Sequence, residues 1–445
     1  MLKRLGFEYV AVSLTQQHIS VVQRHIPPSS VIDLRQLSLR ARVFHNAFNR
    51  LEALHIMKKD DIIGFTLRPH LSKTYTYMQL QEFSTAVSKL QNSLYPFLSG
   101  YYLSALDLKH SYSGIGIVLA VGNHQFHMAY ASIQLLRSLN CSLPIQIFYN
   151  GDDDLSFKNR KHLDQLFSVE TQNIRQFMNE TFINGSGWAL KSFAVLFSRF
   201  SEVILVDADV VFLQDPSAFY NNSYYQRTRA LFFYDRTIGG PAHDKIKWLS
   251  KLFPKPWSKR LINSNRIVSG LSRDNQESGV VVVDKFARFT SLLLTCKLNS
   301  GVERDSIIYK IFYGDKETFW LAPEMIDEDY SFDPHLTGVI GIKKQNQNSG
   351  SNSSTICGTQ IVHFDERGKI FWFNQFVLLN KYTKSQTLAR LDHYIREPGF
   401  YTSDRPHIFC LHVTDYVFTV SDSEKNLIAR LISYWNEIRA ITKFE

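Results

Sequence analysis

Several things are scarce or missing in this 445-residue chain, and each absence narrows what it can be. No run of 18 apolar residues occurs, so the sequence offers no transmembrane helix. Met1 to Arg24 is too polar to supply the apolar core of a signal peptide. A lumenal protein would need an anchor that this stretch does not show; the alternative is a soluble protein. There are four cysteines, Cys141, Cys296, Cys357 and Cys410, and no Cys-x-x-Cys pair, which points away from zinc and thioredoxin chemistry. An even count allows one or two disulfides and leaves the pairing open. No block of five or more Lys or Arg appears, so a net charge of +9 favours anionic ligands in general without singling out nucleic acid. Gly114-x-Gly116 lies before or within a predicted strand and is not a dinucleotide fingerprint.

What is present describes a folded α/β protein. With 44% hydrophobic residues, 33 of them Phe in a single chain, a sizeable core is available and global disorder is excluded. The length suits one large α/β domain with additions, or two domains. Five Asn-x-Ser/Thr triplets begin at Asn140, Asn179, Asn184, Asn221 and Asn352 and lean towards the secretory pathway. Residues 1–110 read as an amphipathic helical stem or accessory region, with helices over Leu34–Leu54 and Met78–Leu98. From Tyr112 the pattern becomes β-α-β: a buried strand ending at Gly122-Asn123, a helix from His127 to Leu139, and a strand over Pro144–Asn150. Such alternation predicts a mixed, mostly parallel sheet flanked by helices, with ligands at the carboxyl ends of its strands. Further strands are expected at Leu231–Tyr234, Ser278–Asp284, Phe319–Ala322 and Gln360–Phe364. Lys343–Ser354 reads as a mobile surface insertion. Residues 111–400 then form the catalytic domain, and 401–445 a C-terminal extension with a strand and a last helix, Ser423–Ile441.

The chemistry concentrates in Val203-Ile-Leu-Val-Asp207-Ala-Asp209-Val-Val-Phe-Leu213. Two carboxylates at the end of an apolar strand are costly unless paired or bound to a cation. In an extended strand, alternation would put Asp207 and Asp209 on one side, with Ala208 between them. Two hard oxygen donors suit Mg²⁺ or Mn²⁺ and leave coordination positions open for a diphosphate. Lys191, on the preceding helix, can reach the same end of the sheet and neutralise phosphate or carboxylate charge. Glu277 can bond sugar hydroxyls, and Gly279 allows close approach of substrate or backbone. Asp315, in the charged turn Gly314-Asp-Lys-Glu317, can orient a sugar or take a proton. His363 suits a third metal position, while Gly368 and Lys369 offer a backbone amide and a fixed positive charge to a diphosphate.

Taken together these segments resemble the fungal Golgi α-mannosyltransferases that extend and branch cell-wall mannan. The residues that carry the resemblance are Trp188-Ala-Leu-Lys191, Val206-Asp-Ala-Asp-Val210, Gln276-Glu-Ser-Gly279 with Val282-Val-Asp-Lys285, Gly314-Asp-Lys-Glu-Thr-Phe-Trp320, and His363-Phe-Asp-Glu-Arg-Gly-Lys369 with Trp372. They are collinear over about 110–380, and the layout is also similar to the wider glycogenin-like retaining transferases. The resemblance implies a GT-A fold, Mn²⁺ (or Mg²⁺), GDP-mannose as donor, a mannoside or glycoprotein acceptor, and retention at the anomeric carbon in an α-1,3 or α-1,2 linkage. It implies Asp207, Asp209 and His363 as metal ligands, Lys191 and Lys369 as diphosphate contacts, and Glu277 and Asp315 as sugar or acceptor contacts. Donor contacts are further expected at Gly122, Asn123, Gly279 and Gly368. A Golgi location with a membrane anchor follows from the resemblance, whereas the absent anchor would fit a cytoplasmic protein. Two other readings stay open: a glycogenin-like transferase using a UDP-sugar, and a glycan-binding relative without catalysis. No acid stands out as an obligatory nucleophile, which favours front-face attack over a glycosyl-enzyme.

Overall fold

The computed structural model describes residues 16–26, 33–57, 65–67, 77–102, 104–184, 187–253, 255–344, 354–378, 388–405, 408–414 and 416–443. The insertion expected at Lys343–Ser354 falls almost wholly outside these residues, at 345–353. The chain divides into two compact units, Met1–Ser111 with Met325–Asp327, and Tyr112–Glu324 with Glu328–Glu445.

In the first unit, helices Gln16–Arg24, Leu34–Leu54 and Tyr77–Leu94 pack through one apolar stripe each. Phe44, Phe48 and Leu51 recur at three- and four-residue spacing and are buried, as are Phe83, Val87, Leu90 and Leu94. Tyr95 ends the third helix before Pro96–Leu98, because the residue before a proline disfavours helical geometry. A short helix, Ala105–Ser111, follows, with Lys109 and His110 2.7 and 2.8 Å from Glu52. Strands β1 (His55–Met57) and β2 (Phe65–Leu67) pair antiparallel.

The second unit is built on a seven-stranded sheet. Its strands are β3 (Ile115–Ala120), β4 (Ile145–Tyr149), β5 (Val169–Asn173), β6 (Glu202–Val206), β8 (Ala230–Tyr234), β9 (Gln276–Asp284) and β10 (Ser331–Phe332), the short β7 (Val211–Phe212) belonging elsewhere. Their order is β10-β8-β9-β6-β3-β4-β5. Every neighbouring pair is parallel except those made by β9, which runs antiparallel between β6 and β8. Residues 276–283 of β9 are all buried, the pattern of a strand covered on both faces. Each of its fully buried valines, Val280 to Val282, contributes about 1.5–3 kcal/mol. Gly116 in β3 has a packing reason: a Cβ there would lie 2.4 Å from the Phe200 ring.

A second sheet gathers β11 (Gly338–Lys344), β12 (Ser354–Gly358), β13 (Ile361–Phe364), β14 (Ile370–Asn374), β15 (His393–Arg396), β16 (Phe400–Arg405), β17 (Ile408–Val413) and β18 (Phe418–Thr419). β7 joins it by pairing with β14, and a Cys357–Cys410 disulfide crosses from β12 to β17. Cys141 and Cys296 are buried and free. The last helix, Asp422–Lys443, lies against helix Phe126–Ser138; Trp435 and Ile438 are buried there, and Thr442 Oγ1 is 3.1 Å from His127 Nε2. Among the described residues no helix is long and apolar enough to cross a membrane.

The mixed, mostly parallel α/β architecture expected from the sequence is therefore present, and three local expectations need correction. Phe319–Ala322 is not a strand but part of helix Thr318–Ile326. A short apolar run does not distinguish the two, and here Asp315 accepts from both the Thr318 amide and its hydroxyl, starting a helix. The tail beyond residue 400 holds three strands rather than one, because its polar-apolar alternation is carried by Tyr, Thr and Ser as well as by aliphatics. Asp207 and Asp209 do not lie in an extended strand: β6 stops at Val206, and Val210 N donates to Asp207 O at 3.0 Å, closing a turn.

Candidate active site

That turn is where the chain leaves one sheet for the other. β6 delivers Asp207 at its carboxyl end, and the Asp207 amide donates to Gly279 O at 2.8 Å, fastening the turn to β9. Two residues after Asp209 the chain enters β7. The Asp-x-Asp pair is thus held at both ends by sheet hydrogen bonds, while both aspartates remain half-buried.

Lys191 approaches from helix Gly187–Phe197. Its Nζ lies 2.9 Å from Asp207 Oδ1, 3.2 Å from Asp315 Oδ2 and 3.2 Å from Ser278 Oγ. Burial opposes the Lys191 charge, but the Asp207 and Asp315 carboxylates outweigh it and hold its pKa above the usual lysine range. Asp315 is more deeply buried than Lys191's other partner: 5% of its side chain is exposed, against 24% for Asp207. Burial, only partly offset by Lys191, pushes Asp315 up to about 6. The cluster therefore opens to solvent through Asp207.

The turn carrying Asp315 is not the exposed charged turn its composition suggests. Lys316 Nζ bridges Asp235 at 2.8 Å and Asp274 at 3.0 Å. Lys245 Nζ lies 2.7 Å from the other oxygen of Asp274. Glu317 is fully buried and accepts from the Asn275 amide at 2.8 Å and from Trp320 Nε1; burial pushes it up to about 7. Two lysines, each set between two carboxylates, are thus joined through consecutive residues, Asp315 and Lys316.

Glu277 and Gly279 lie within β9 rather than ahead of it. Glu277 Oε1 accepts from the Gly279 amide at 2.7 Å and from Asn374 Nδ2 at 2.8 Å. A Cβ on Gly279 would meet Asn374 Nδ2 at 2.9 Å and Val210 Cγ2 at 3.1 Å, so close approach of neighbouring side chains explains this glycine.

Other expected positions are placed apart. The β7–β14 ladder pairs Val211 with Phe373 and Phe212 with Trp372. Continued one way, it brings Asn374 and Gln375 level with the Asp-x-Asp turn. Continued the other way, it brings Ile370 level with Gln214, whose Nε2 reaches Ile370 O at 3.0 Å. Lys369 sits at that far end, about six residues or ~20 Å of extended chain from Asp209. Lys369 is exposed, and its amide donates to Asp365 Oδ1 at 2.8 Å. Gly368 has φ +76°, its amide donates to Asp365 O, and a Cβ would strike Arg396 Nη1 at 2.2 Å. Its conformation is accounted for by the hairpin turn.

His363 lies in the apolar core, stacked on Trp372 with ring centres 3.9 Å apart and edge-on to Phe233 at 5.5 Å. Its Nε2 is buried without a hydrogen-bond partner, and burial lowers its pKa to about 3, so the ring is neutral. Among the described residues no group of three or more His, Cys, Asp or Glu side chains is placed to hold a metal ion. The trio Asp207, Asp209 and His363 is therefore not assembled; the two carboxylates alone share the turn.

Gly122 and Asn123 do meet the Asn150–Asp154 loop. Asn123 Oδ1 accepts from the Ser156 amide at 3.0 Å and Asn159 Nδ2 at 2.9 Å, and a Cβ on Gly122 would lie 2.4 Å from Asp154 Oδ1. Both residues lock two strand-end loops together. Sequence reasoning missed Ser278, Asn374 and Gln375, and the partners of Lys316. The available signal was a pair of amides, Asn374-Gln375, closing an otherwise apolar strand.

Residues 114–365, more than half of the chain, match a family profile described as "Mannosyltransferase putative". Among curated proteins, the chain is 30% identical to "Putative alpha-1,3-mannosyltransferase MNN15" of Candida albicans over 60% of this chain and 42% of the relative. It is 26% identical to alpha-1,3-mannosyltransferase MNT3 of Saccharomyces cerevisiae over 65% of this chain and 50% of the relative. The chain spans about half the length of the curated relatives it matches. Among solved structures, the mannosyltransferase Ktr4p of S. cerevisiae in complex with GDP aligns over 69% of this chain and 82% of its own, at 11% identity and a TM-score of 0.32. Core-mannan synthase A of Aspergillus fumigatus, in its Mn/GDP form, aligns over 48% and 71% at 10% identity and a TM-score of 0.30. Both structural likenesses are too loose to argue from. The extent of the profile match, which takes in the lysine helix, the Asp-x-Asp turn and Asp315, shows that the chain belongs to this family of mannosyltransferases.

Proposed function

We propose that the protein is a metal-dependent, retaining mannosyltransferase that moves mannose from GDP-mannose to a mannose-containing glycan. The observation that carries this reading is the Asp-x-Asp turn at the carboxyl end of β6, opened to solvent through Asp207 and backed by Lys191. Family membership supplies the sugar. Two adjacent carboxylates suit Mn²⁺ or Mg²⁺ that completes its coordination with diphosphate oxygens and water. Asp207 and Asp209 would hold the ion, which when bound would stabilise negative charge on the departing diphosphate. We leave His363 out of this set, because among the described residues its side chain is not grouped with Asp207 and Asp209, and its ring packs on Trp372 and Phe233.

Lys191 has a positioning role here. Spanning Asp207 and Asp315, it fixes the Asp207 carboxylate and compensates charge that would otherwise repel a diphosphate. Asp315 and Glu277 are the carboxylates available to orient sugar hydroxyls. As the sugar–phosphate bond breaks, positive charge grows on the sugar and nearby carboxylates stabilise it. No carboxylate stands unencumbered as a nucleophile: Asp315 is tied to Lys191, and Glu277 to Gly279 and Asn374. Front-face attack by the acceptor hydroxyl therefore remains the preferred route to retention. The Cys357–Cys410 disulfide supports work in an oxidising compartment such as the secretory pathway.

A donor panel tests the proposal. Purified protein with Mn²⁺ is incubated with GDP-mannose, UDP-glucose, UDP-galactose or UDP-N-acetylglucosamine and a mannoside acceptor, and nucleotide diphosphate release is followed with and without EDTA. The expected result is EDTA-sensitive release of GDP alone. Release of UDP, or GDP release indifferent to EDTA, would overturn it.

A further inference from the structure

Beside the carboxylate cluster, on the same two chain segments, lies an aromatic surface that the proposed chemistry does not use. Trp188 precedes Lys191 by three residues on helix Gly187–Phe197, so the two share a face. Tyr313 precedes Asp315 by two residues. The Lys191–Asp315 ion pair at 3.2 Å ties these segments together. Trp188 is 46% exposed and Tyr313 63%, values far from the usual burial of such large rings.

The indole is nevertheless held firmly. Its ring centre lies 5.1 Å from Tyr313 and 6.3 Å from Tyr309. Tyr309 is itself fixed by its hydroxyl, which donates to Asn299 Oδ1 at 2.9 Å. On another side Gly314, with φ +71°, lets the turn pass against the ring; a Cβ there would come 3.0 Å from Trp188 Cε3. A glycine that admits a tryptophan, and a tyrosine that braces it, have fixed a ring whose remaining surface faces water. Contiguous exposed aromatic surface of this kind marks a binding site.

The geometry points to an acceptor subsite: the Trp188–Tyr313 surface receives the pyranose ring of the mannoside acceptor, an inference that rests on the mannosyltransferase reading. A pyranose has an apolar face of C–H bonds and a rim of hydroxyls. The electron-rich faces of Trp and Tyr attract the first. The Asp315 carboxylate, two residues from Tyr313, is the acidic group available to the second. Trp188 and Tyr313 are inclined at 54°, so they form no parallel slot for a flat base. The surface therefore suits a neutral sugar.

The test uses the full chain with Trp188→Ala and Tyr313→Ala variants and the aromatic controls Trp188→Phe and Tyr313→Phe. Two readouts are taken: steady-state transfer from GDP-mannose to α-mannobiose, and equilibrium binding of α-mannobiose by ligand-observed NMR. The alanine variants are expected to raise the KM for α-mannobiose about tenfold, with the KM for GDP-mannose and the slow transfer to water unchanged. They should also lose the NMR binding signal, and the phenylalanine variants should restore much of both. An unchanged acceptor KM with retained binding would overturn the subsite, as would equal losses for donor and acceptor. Association of wild type, but not of the alanine variants, with phosphatidylcholine vesicles, together with an unchanged acceptor KM, would assign the surface to a membrane instead. If the wild type transfers nothing from GDP-mannose, the proposed activity fails, while α-mannobiose binding that depends on Trp188 still decides the subsite.

Discussion

Two buried lysines flank the same strand and meet opposite fates. Lys191 sits beside Ser278, near the start of β9, and faces two carboxylates; Lys285 follows the end of β9 and faces none. Lys285 Nζ is fully buried, donates to Ser198 O at 2.6 Å, Ser198 Oγ at 3.0 Å and Leu196 O at 3.3 Å, and lies 3.5 Å from the centre of the Tyr112 ring. Burial, unopposed by any carboxylate there, depresses its pKa well below the usual value, whereas Asp207 and Asp315 lift that of Lys191. At one end of the sheet a charge is retained at the cost of burying Lys191 and Asp315, with Asp207 left half-buried. At the other, an amine ties off the carbonyls that end helix Gly187–Phe197. A buried charge kept beside a solvent-facing carboxylate is the mark of a working site; a buried amine among carbonyls is a structural plug.

The comparison is most easily broken by replacing each lysine with methionine. Lys191→Met leaves Asp207 and Asp315 facing each other without a counter-charge. Stability is expected to fall by about 3–5 kcal/mol at neutral pH and transfer by roughly a hundredfold or more. Lys285→Met leaves Ser198 O without its donor, while Leu196 O keeps the Tyr112 hydroxyl at 2.7 Å; the cost is about 1–3 kcal/mol, with transfer per folded molecule unchanged within about twofold. Denaturant unfolding paired with initial rates on each variant checks both. Equal losses of activity would erase the distinction between the two ends of the sheet.

A second prediction concerns the imidazole that the sequence placed with the metal ligands. If His363 belongs to the core, His363→Phe keeps its stacking on Trp372, changes stability by about 1 kcal/mol, and leaves the Mn²⁺ concentration for half-maximal rate unmoved. A shift of that concentration by tenfold or more would return His363 to the metal site.

A third prediction sharpens the role of the second lysine centre. Burial disfavours the Glu317 charge and pushes it up to about 7 in the folded protein, from an ordinary value of 4.5. The folded state therefore binds this proton more tightly than the unfolded chain. Its contribution is full below about pH 4.5 and is lost as pH rises towards 7. Glu317→Gln should flatten the decline of stability over that interval, as read from denaturation midpoints at several pH values. An undiminished slope would assign the decline to other groups.

How much of this was legible in the sequence depends on the range of the interactions involved. The β-α-β run from Ile115, the lysine helix and the Asp-x-Asp at a strand end are local patterns of hydrophobic period and charge, and they are found where the sequence puts them. The turn at Asp207 was not legible, because it depends on Val211 and Phe212 being drawn into the second sheet by β14. Nor was the burial of Gly314–Glu317: its carboxylates look solvated until Asp235, Asp274 and Lys245 are brought alongside from elsewhere in the chain. Lys369 is expected near the aspartates from its fixed charge beside Gly368 and from the family resemblance. The β7–β14 register, a long-range property, separates it from them. Trp188 and Tyr313 are in plain view, but their exposure emerges only from packing.

The most direct test of the central claim is GDP-mannose turnover by an Asp209→Asn protein at saturating Mn²⁺, with near-ultraviolet circular dichroism confirming native packing. A metal held by the Asp-x-Asp turn predicts loss of transfer by a thousandfold or more, on the order expected for removing a principal transition-state stabiliser, in a protein that is otherwise folded. Turnover within about tenfold of wild type would contradict the account and remove the metal from this turn.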